Sequence, residues 1–229
     1  MENVFREYSE RKFRDLESRK AAGNGPIVTI SREFGCPSKP IAQMLTDTLN
    51  KGYGTGKKTK WRFINKEIVE ESARELELKP VEMNYLLSSG EKGLLEDMLT
   101  SFSPTYVSNI KIKKTITRVV LDFAKQGTII LVGRGAAAIL QGYPKTLHIR
   151  LQAPLSWRIP EIKKLKNVDD KAAKKMAMEI DQKRTALIEF LLGQKFDQTL
   201  FDIIFNCSTI SKEEMIQGII RLMEVRGMV

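Results

Sequence analysis

The chain is poor in thiols and almost devoid of imidazole: Cys36, Cys207 and His148 are its only cysteines and histidine in 229 residues. The cysteines form no C-x-x-C pair, so neither a disulfide framework nor a zinc site is indicated, and a reducing, cytoplasmic compartment is expected. His148 sits inside an apolar strand pattern with no neighbour suited to a triad or a metal site, and reads as a structural histidine. Long apolar runs are missing too. No stretch reaches the roughly 18 apolar residues of a membrane span. The opening MENVFREYSERKFRDLESRK mixes acids with bases and has no apolar export region, so neither export nor a membrane partner is expected. Aromatics are only 7%, and they do not interleave with basic runs in an RNA-recognition or KH pattern, which argues against a nucleic-acid partner.

Charge is what the chain has in excess. Lys and Arg number 38 against 28 Asp and Glu, a formal +10. A phosphorylated ligand is one reason to carry that surplus and RNA is another, while any single basic run reads as a solvated helix face. With 42% hydrophobic and 29% charged residues, the composition is that of a folded globular protein. The length suits a single α/β domain over residues 26–229, preceded by a polar helical extension over 1–25.

Short β-branched runs alternate with longer helical patterns. Strands are expected at 27–30, 61–64, 128–132, 146–151 and 203–206. Helices are expected at 40–49, 66–77, 110–125, 136–140, 155–166, 169–192 and from Ser211 to about 226. Asn65 reads as a helix cap, Pro160 as an interruption or start within 155–166, and Gly193 as the stop after 192. This rhythm argues for a mostly parallel sheet covered on both faces.

The turn at 31–39, Ser31-Arg32-Glu33-Phe34-Gly35-Cys36-Pro37-Ser38-Lys39, joins a buried strand to a helix, which is where backbone N–H groups and a positive helix end meet anions. It lacks the G-x-x-x-x-G-K-[ST] pattern: Gly35 is its one glycine, and Pro37 and Pro40 each remove an N–H. On spacing alone it is an ordinary strand-to-helix turn. The run Gly52-Tyr53-Gly54-Thr55-Gly56-Lys57-Lys58-Thr59 imitates a nucleotide loop, yet it precedes a strand and reads as a surface connection.

Six blocks occur in one order: Thr29-Ile30-Ser31-Arg32-Glu33-Phe34-Gly35, Phe63-Ile64-Asn65-Lys66-Glu67-Ile68, Val132-Gly133-Arg134-Gly135-Ala136, Ala153-Pro154-Leu155-Ser156-Trp157-Arg158-Ile159, Asp181-Gln182-Lys183-Arg184 and Phe201-Asp202-Ile203-Ile204-Phe205-Asn206. Together they resemble the cytidylate kinase-like family, a branch of the nucleoside monophosphate kinases. The resemblance implies a P-loop NTPase-like three-layer α/β fold with a mostly parallel sheet, a helical lid over about 155–195 and a helical acceptor-binding insertion. It also implies a phosphotransferase that moves the γ-phosphoryl group of ATP, with Mg²⁺, to a nucleoside monophosphate such as CMP.

Carried over by residue, the resemblance puts the nucleotide phosphates at Ser31, Arg32, Gly35, Cys36, Ser38 and Lys39, with Ser38 a candidate Mg²⁺ ligand. The acceptor falls at Asn65, Gly133, Arg134 and Gly135, and the catalytic cations are Lys39, Arg134, Arg158, Lys183 and Arg184. Several convergent cations are what phosphoryl transfer requires. Plainer readings stand beside these: Arg158 as the wet face of a helix, one of Lys183 and Arg184 as merely solvated, Asp181 as an i,i+3 ion pair with Arg184, and Cys36 as a small filler. Where the family has Gly-Ser-Gly-Gly-Arg this chain has Gly35-Cys36-Pro37-Ser38-Lys39, and Asn65 stands in place of an aspartate. Two further functions therefore remain open, a nucleotide-binding regulatory protein with little or no catalysis and a basic RNA-associated protein. A homo-oligomer is equally open.

Overall fold

Ile27, Val28 and Ile30 send branched apolar side chains to both faces of one short run, a pattern satisfied where helices cover both faces of a sheet. They form β1, Ile27–Arg32, the central strand. The computed structural model describes residues 25–53, 60–83 and 108–229. The expected N-terminal extension and most of the glycine–lysine connection lie outside the described residues.

After β1 come α1 (Ser38–Gly52), β2 (Arg62–Ile64), α2 (Glu67–Glu75), α3 (Asn109–Gln126), β3 (Ile129–Val132), α4 (Ala136–Ile139), β4 (Thr146–Gln152), α5 (Leu155–Lys166), α6 (Asp170–Leu192), a 3₁₀ turn (Gln198–Leu200), β5 (Ile203–Asn206) and α7 (Lys212–Val225). The sheet order is β2-β3-β1-β4-β5, and every pairing in it is parallel. The expected mostly parallel three-layer α/β architecture is therefore present.

Two apolar layers flank the sheet. Ile27, Ile129 and Leu131 pack with Ile68, Ile116 and Val119 of α2 and α3 on one face, and Val28, Ile30 and Ile149 pack with Leu45, Leu49 and Ile219 of α1 and α7 on the other. Parallel register neighbours share a face, so Thr29 and Ser31 of β1 lie on the same side as His148 and Arg150 of β4. A third, smaller cluster places Phe34 of the turn after β1 among Ile162 of α5 and Ala173 and Ala177 of α6.

Local chemistry sets the helix limits. Asp169 caps α6 by accepting from Ala172 N–H, and Gly193 closes it in the left-handed region. Ser211 and Glu214 form a reciprocal capping box on α7. Two expectations change. Helix α5 runs uninterrupted through Pro160, because the ring and Ser156, whose carbonyl loses its helical partner, are both exposed to solvent. Asn65 does not cap α2: the N-cap is Lys66 without a side-chain bond, and the Asn65 backbone N–H donates to Glu67 Oε2.

Candidate functional site

The turn after β1 is enclosed by α5 and α6. Phe34 is buried, and at Gly35, whose φ is +96°, an added Cβ would lie 3.1 Å from both Arg158 Cβ and Ile162 Cγ1. Several of its amides are already bonded within the protein. Phe34 N–H donates to Asp181 Oδ1 over 2.7 Å, Cys36 N–H to the Glu33 carbonyl over 3.2 Å, and Ser38 N–H to the Cys36 carbonyl over 2.9 Å. Pro37 and Pro40 contribute no N–H. Ser38 is buried, while Lys39 is exposed on the first turn of α1.

Arg158 is buried and fastens α5 to this turn. Its Nε donates to the Ala153 carbonyl at 2.9 Å and its Nη1 to the Phe34 carbonyl at 3.0 Å and to Asp181 Oδ2 at 2.6 Å. Glu33 Oε2 lies 3.4 Å from the Arg158 Nε and accepts the Ala153 N–H. The wet-face reading of Arg158 therefore fails. Asp181 does form the expected i,i+3 pair with Arg184, at 3.9 Å, but its contacts with Arg158 and Phe34 are shorter.

Beside the turn lies a cavity of about 40 Å³, bordered by Arg32, Arg134, Arg150, Arg184 and Asp181. It opens at the carboxyl ends of β1, β3 and β4, the edge where ligands of parallel sheets bind. Arg184 reaches it from α6: its Nη1 donates to the Arg32 carbonyl at 3.1 Å, and its guanidinium lies 5.7 Å from the Phe34 ring centre. Arg134 is left-handed at φ 56°, between Gly133 at 74° and Gly135 at 71°. A left-handed arginine is uncommon and carries strain. Glycine is required on either side for a further reason: a Cβ at Gly133 would run into the Arg32 guanidinium, and one at Gly135 into the Leu191 side chain.

Burial lowers the basicity of all four guanidiniums around the cavity, and neighbouring cavity guanidiniums add to it at Arg32 and Arg184. Arg32 is pulled down to about 9, first by burial and then by Arg184 and Arg134. Burial also lowers Arg134 and Arg150, and lowers Arg184 against the opposing pull of Asp181. Among the described residues, the buried Nε atoms of Arg134 and Arg150 have no hydrogen-bond partner. Such a site is an unfilled demand for negative charge and acceptor oxygens.

Ser31, Arg32, Gly133, Arg134, Gly135 and Arg184 are thus brought together at the cavity, and Arg158 is tied to it through Asp181. Gly35 and Cys36 lie in the neighbouring enclosed turn. Lys39 and Lys183 are exposed, and neither they, Ser38 nor Asn65 borders the cavity. Arg150 was not anticipated. Its signal is an arginine interrupting the apolar alternation of a buried strand, two residues after His148, near the strand's carboxyl end. Cys36 and Cys207, distant in sequence, meet in hydrogen-bond contact, which with burial pushes the Cys36 thiol upward.

No group of three or more His, Cys, Asp or Glu suited to a metal occurs among the described residues. Mg²⁺ in phosphoryl transfer is commonly carried on substrate phosphates and water with few protein ligands; near the turn the acidic groups Asp181 and Glu33 are engaged by protein donors, and Ser38 is a hydroxyl of the turn. Among the described residues no helix is long and apolar enough to cross a membrane.

Comparison with known proteins adds an independent line. The sequence model of the cytidylate kinase-like family matches residues 27–209. A cytidylate kinase of Methanocaldococcus jannaschii is 32% identical over 113 residues, covering 48% of this chain and 64% of the relative. The chain therefore spans just under two thirds of that relative's length. An uncharacterized protein from Eubacterium ventriosum ATCC 27560 shares the fold at a TM-score of 0.61 and 20% identity, over 88% of this chain and 99% of that one.

Proposed function

Because the chain belongs to the cytidylate kinase-like family, we propose that it transfers the γ-phosphoryl group of ATP to a small phosphomonoester, a nucleoside monophosphate such as CMP. The observation that carries this reading is the convergence of Arg32, Arg134 and Arg184 on one cavity at the carboxyl edge of the sheet, beneath two lid helices. A phosphoryl group in transfer spreads charge over its equatorial oxygens, and guanidiniums fixed in advance stabilise that charge without reorganising.

Each residue has a distinct task. Arg134, held left-handed at the end of β3, faces the acceptor phosphate. Arg184 travels with α6, so it delivers its charge only when the lid is down. Arg158 touches no substrate; it positions Asp181 and the turn, and α5 and α6 exclude water. Mg²⁺ arriving with the nucleotide would neutralise polyphosphate charge, with Ser38 the candidate hydroxyl ligand of the turn. A cavity of about 40 Å³ takes a phosphoryl-sized group and not a whole nucleotide, so donor entry requires the lid to lift and Asp181 to release Phe34 N–H.

One observation favours a second reading, nucleotide binding without turnover: the turn has Pro37 and Ser38 where close phosphate wrapping favours glycine, and Asp181 holds one of its amides. Incubating the protein with ATP, Mg²⁺ and a panel of nucleoside monophosphates, with chromatographic detection of diphosphates, separates the two. Diphosphate formation from at least one acceptor is expected. Calorimetric ATP binding with no diphosphate from any acceptor would establish the second reading instead.

A further inference from the structure

Arg150 is built into the cavity in a way the transfer reading does not require. It lies opposite Ser31 in the β1–β4 register, near the carboxyl end of β4. Its guanidinium carbon is 5.2 Å from the Phe196 ring centre and 5.5 Å from that of Phe201. Those two rings meet edge to face, with centroids 6.0 Å apart. Two aromatic faces hold the cation's plane and limit its rotamers before any ligand arrives.

The contrast with Arg158 is informative. Arg158 satisfies its Nε and Nη1 on carbonyl and carboxylate oxygens, as a buried structural arginine should. Arg150 has a buried Nε with no partner, and Arg134 across the cavity has another. The nearby carboxylates are committed elsewhere: Asp181 to Arg158 and Phe34 N–H, Glu33 to Ala153 N–H. Four guanidiniums against one bordering carboxylate leave an excess of positive charge and of unspent donors. A tetrahedral dianion with several acceptor oxygens answers both needs.

We propose that Arg150, with Arg32 and Arg134, forms a preformed pocket for the phosphate of a phosphomonoester, recognised through its dianionic phosphate alone and without help from the base. This rests on the phosphotransfer reading and deepens it by naming what the acceptor end recognises. Arg150 supplies a fixed cation at the back of the cavity, Arg134 faces it, and Arg184 closes over the front with the lid. Inorganic phosphate should therefore bind the free protein in the absence of ATP, Mg²⁺ or any nucleoside.

The experiment measures inorganic phosphate binding by calorimetry and by thermal denaturation, against potassium chloride at matched ionic strength, for the wild type, Arg150→Met, Arg150→Lys and, as a surface control, Lys175→Met. Wild type and Lys175→Met should bind phosphate and melt higher in its presence. Arg150→Met should lose affinity roughly ten- to hundredfold, the scale of a hydrogen bond to a charged group. Its melting temperature without phosphate should stay level or rise, since methionine keeps the aromatic packing and removes an unpaired buried charge. Arg150→Lys should fall between the two in affinity, and it carries the test if Arg150→Met does not fold.

Wild-type affinity in Arg150→Met or Arg150→Lys overturns the proposal. So does a lowered melting temperature with an undiminished phosphate response, which would mark Arg150 as purely structural. Failure of the wild type to bind phosphate overturns it as well. Phosphate binding that depends on Arg150 in a protein that turns over no acceptor would sustain this pocket while refuting the kinase reading. Turnover with an unchanged acceptor KM in Arg150→Met would do the reverse.

Discussion

Asp181, in the middle of α6, accepts the backbone N–H of Phe34 across 2.7 Å, joining positions 147 residues apart. The same carboxylate takes the Arg158 guanidinium at 2.6 Å, so one side chain ties α6 to α5 and occupies an amide of the turn. Under the proposed phosphotransfer reading, a carboxylate oxygen stands there where a donor phosphate oxygen would, and closure of α6 would compete with donor entry for that amide. Asp181→Asn should lower the unfolding free energy by about 1–3 kcal/mol and speed hydrogen exchange at Phe34. Arg158→Met should cost more, about 3 kcal/mol, because it removes the buried cation that pairs with both Asp181 and Glu33. Chemical denaturation of both variants checks the ranking, and equal costs would refute it.

Gly133 and Gly135 are both left-handed, yet their substitution should fail in different ways. At Gly135 an added methyl meets Leu191, which is 2% exposed and fixed in the core. Gly135→Ala should therefore destabilise by about 1–3 kcal/mol. At Gly133 the obstacle is the movable end of Arg32. Gly133→Ala should displace that guanidinium, weakening phosphate binding more than it lowers the melting temperature. A thermal melt and a phosphate titration on each variant distinguish these effects.

His148 gives the fold a pH dependence of definite sign. Its Nδ1 lies 2.8 Å from the Thr29 hydroxyl, and its remaining nitrogen is left for the Leu140 backbone. Burial lowers its pKa below the usual 6.5; Asp202 and the Leu140 backbone oppose this, while Arg226 adds to the lowering. The unfolded chain therefore takes up the proton first as pH falls. This contribution to stability is complete above about pH 6.5 and is lost below it, with a slope of at most about 1.4 kcal/mol per pH unit. Denaturation curves between pH 7.5 and about 5 should show the decline in the wild type and a flatter profile in His148→Asn.

Elements governed by neighbouring residues were legible in the sequence. The apolar face of α1, Ile41, Leu45 and Leu49, the Asp169 and Gly193 limits of α6 and the Ser211 cap of α7 follow from chemistry within a few positions. The parallel sheet followed from the alternation of strands and helices. Arg150 and Asp181 were not legible in their roles, because those roles depend on strand register and on how α6 lies over β1, which spacing along the chain does not encode. The meeting of Cys36 with Cys207 was hidden for the same reason. Asn65 and Pro160 were misread in the opposite way: a good local rule yielded to a backbone bond to Glu67 and to solvent at an exposed helix face.

The thiol contact leads to a reactivity prediction. The hydrogen bond to Cys207 and burial both raise the Cys36 pKa above its ordinary value, so its thiolate is scarce at neutral pH. Iodoacetamide should alkylate Cys36 at pH 8 roughly tenfold or more slowly than a free thiol. Replacing Cys207 with alanine should accelerate the reaction by removing the leading cause. Peptide mass spectrometry over a time course measures both rates, and rapid labelling of the wild type would contradict the contact.

Lys183 and Arg184 are adjacent on α6 and look interchangeable as lid cations, but only Arg184 turns inward. It donates to the Arg32 carbonyl, lies against Phe34 and borders the cavity, whereas Lys183 is exposed to water. A guanidinium aimed at developing charge in a dry site is worth far more than an ammonium in high dielectric. If the phosphotransfer reading holds, Arg184→Met should lower kcat by roughly 10²–10³ and Lys183→Met by less than about tenfold, a surface-charge effect. Raised salt should narrow the small Lys183 effect, through screening, and leave the Arg184 loss intact. Steady-state kinetics of both variants at two ionic strengths decide the matter, and comparable losses would mean that the lid presents a different face to the nucleotide than it does here.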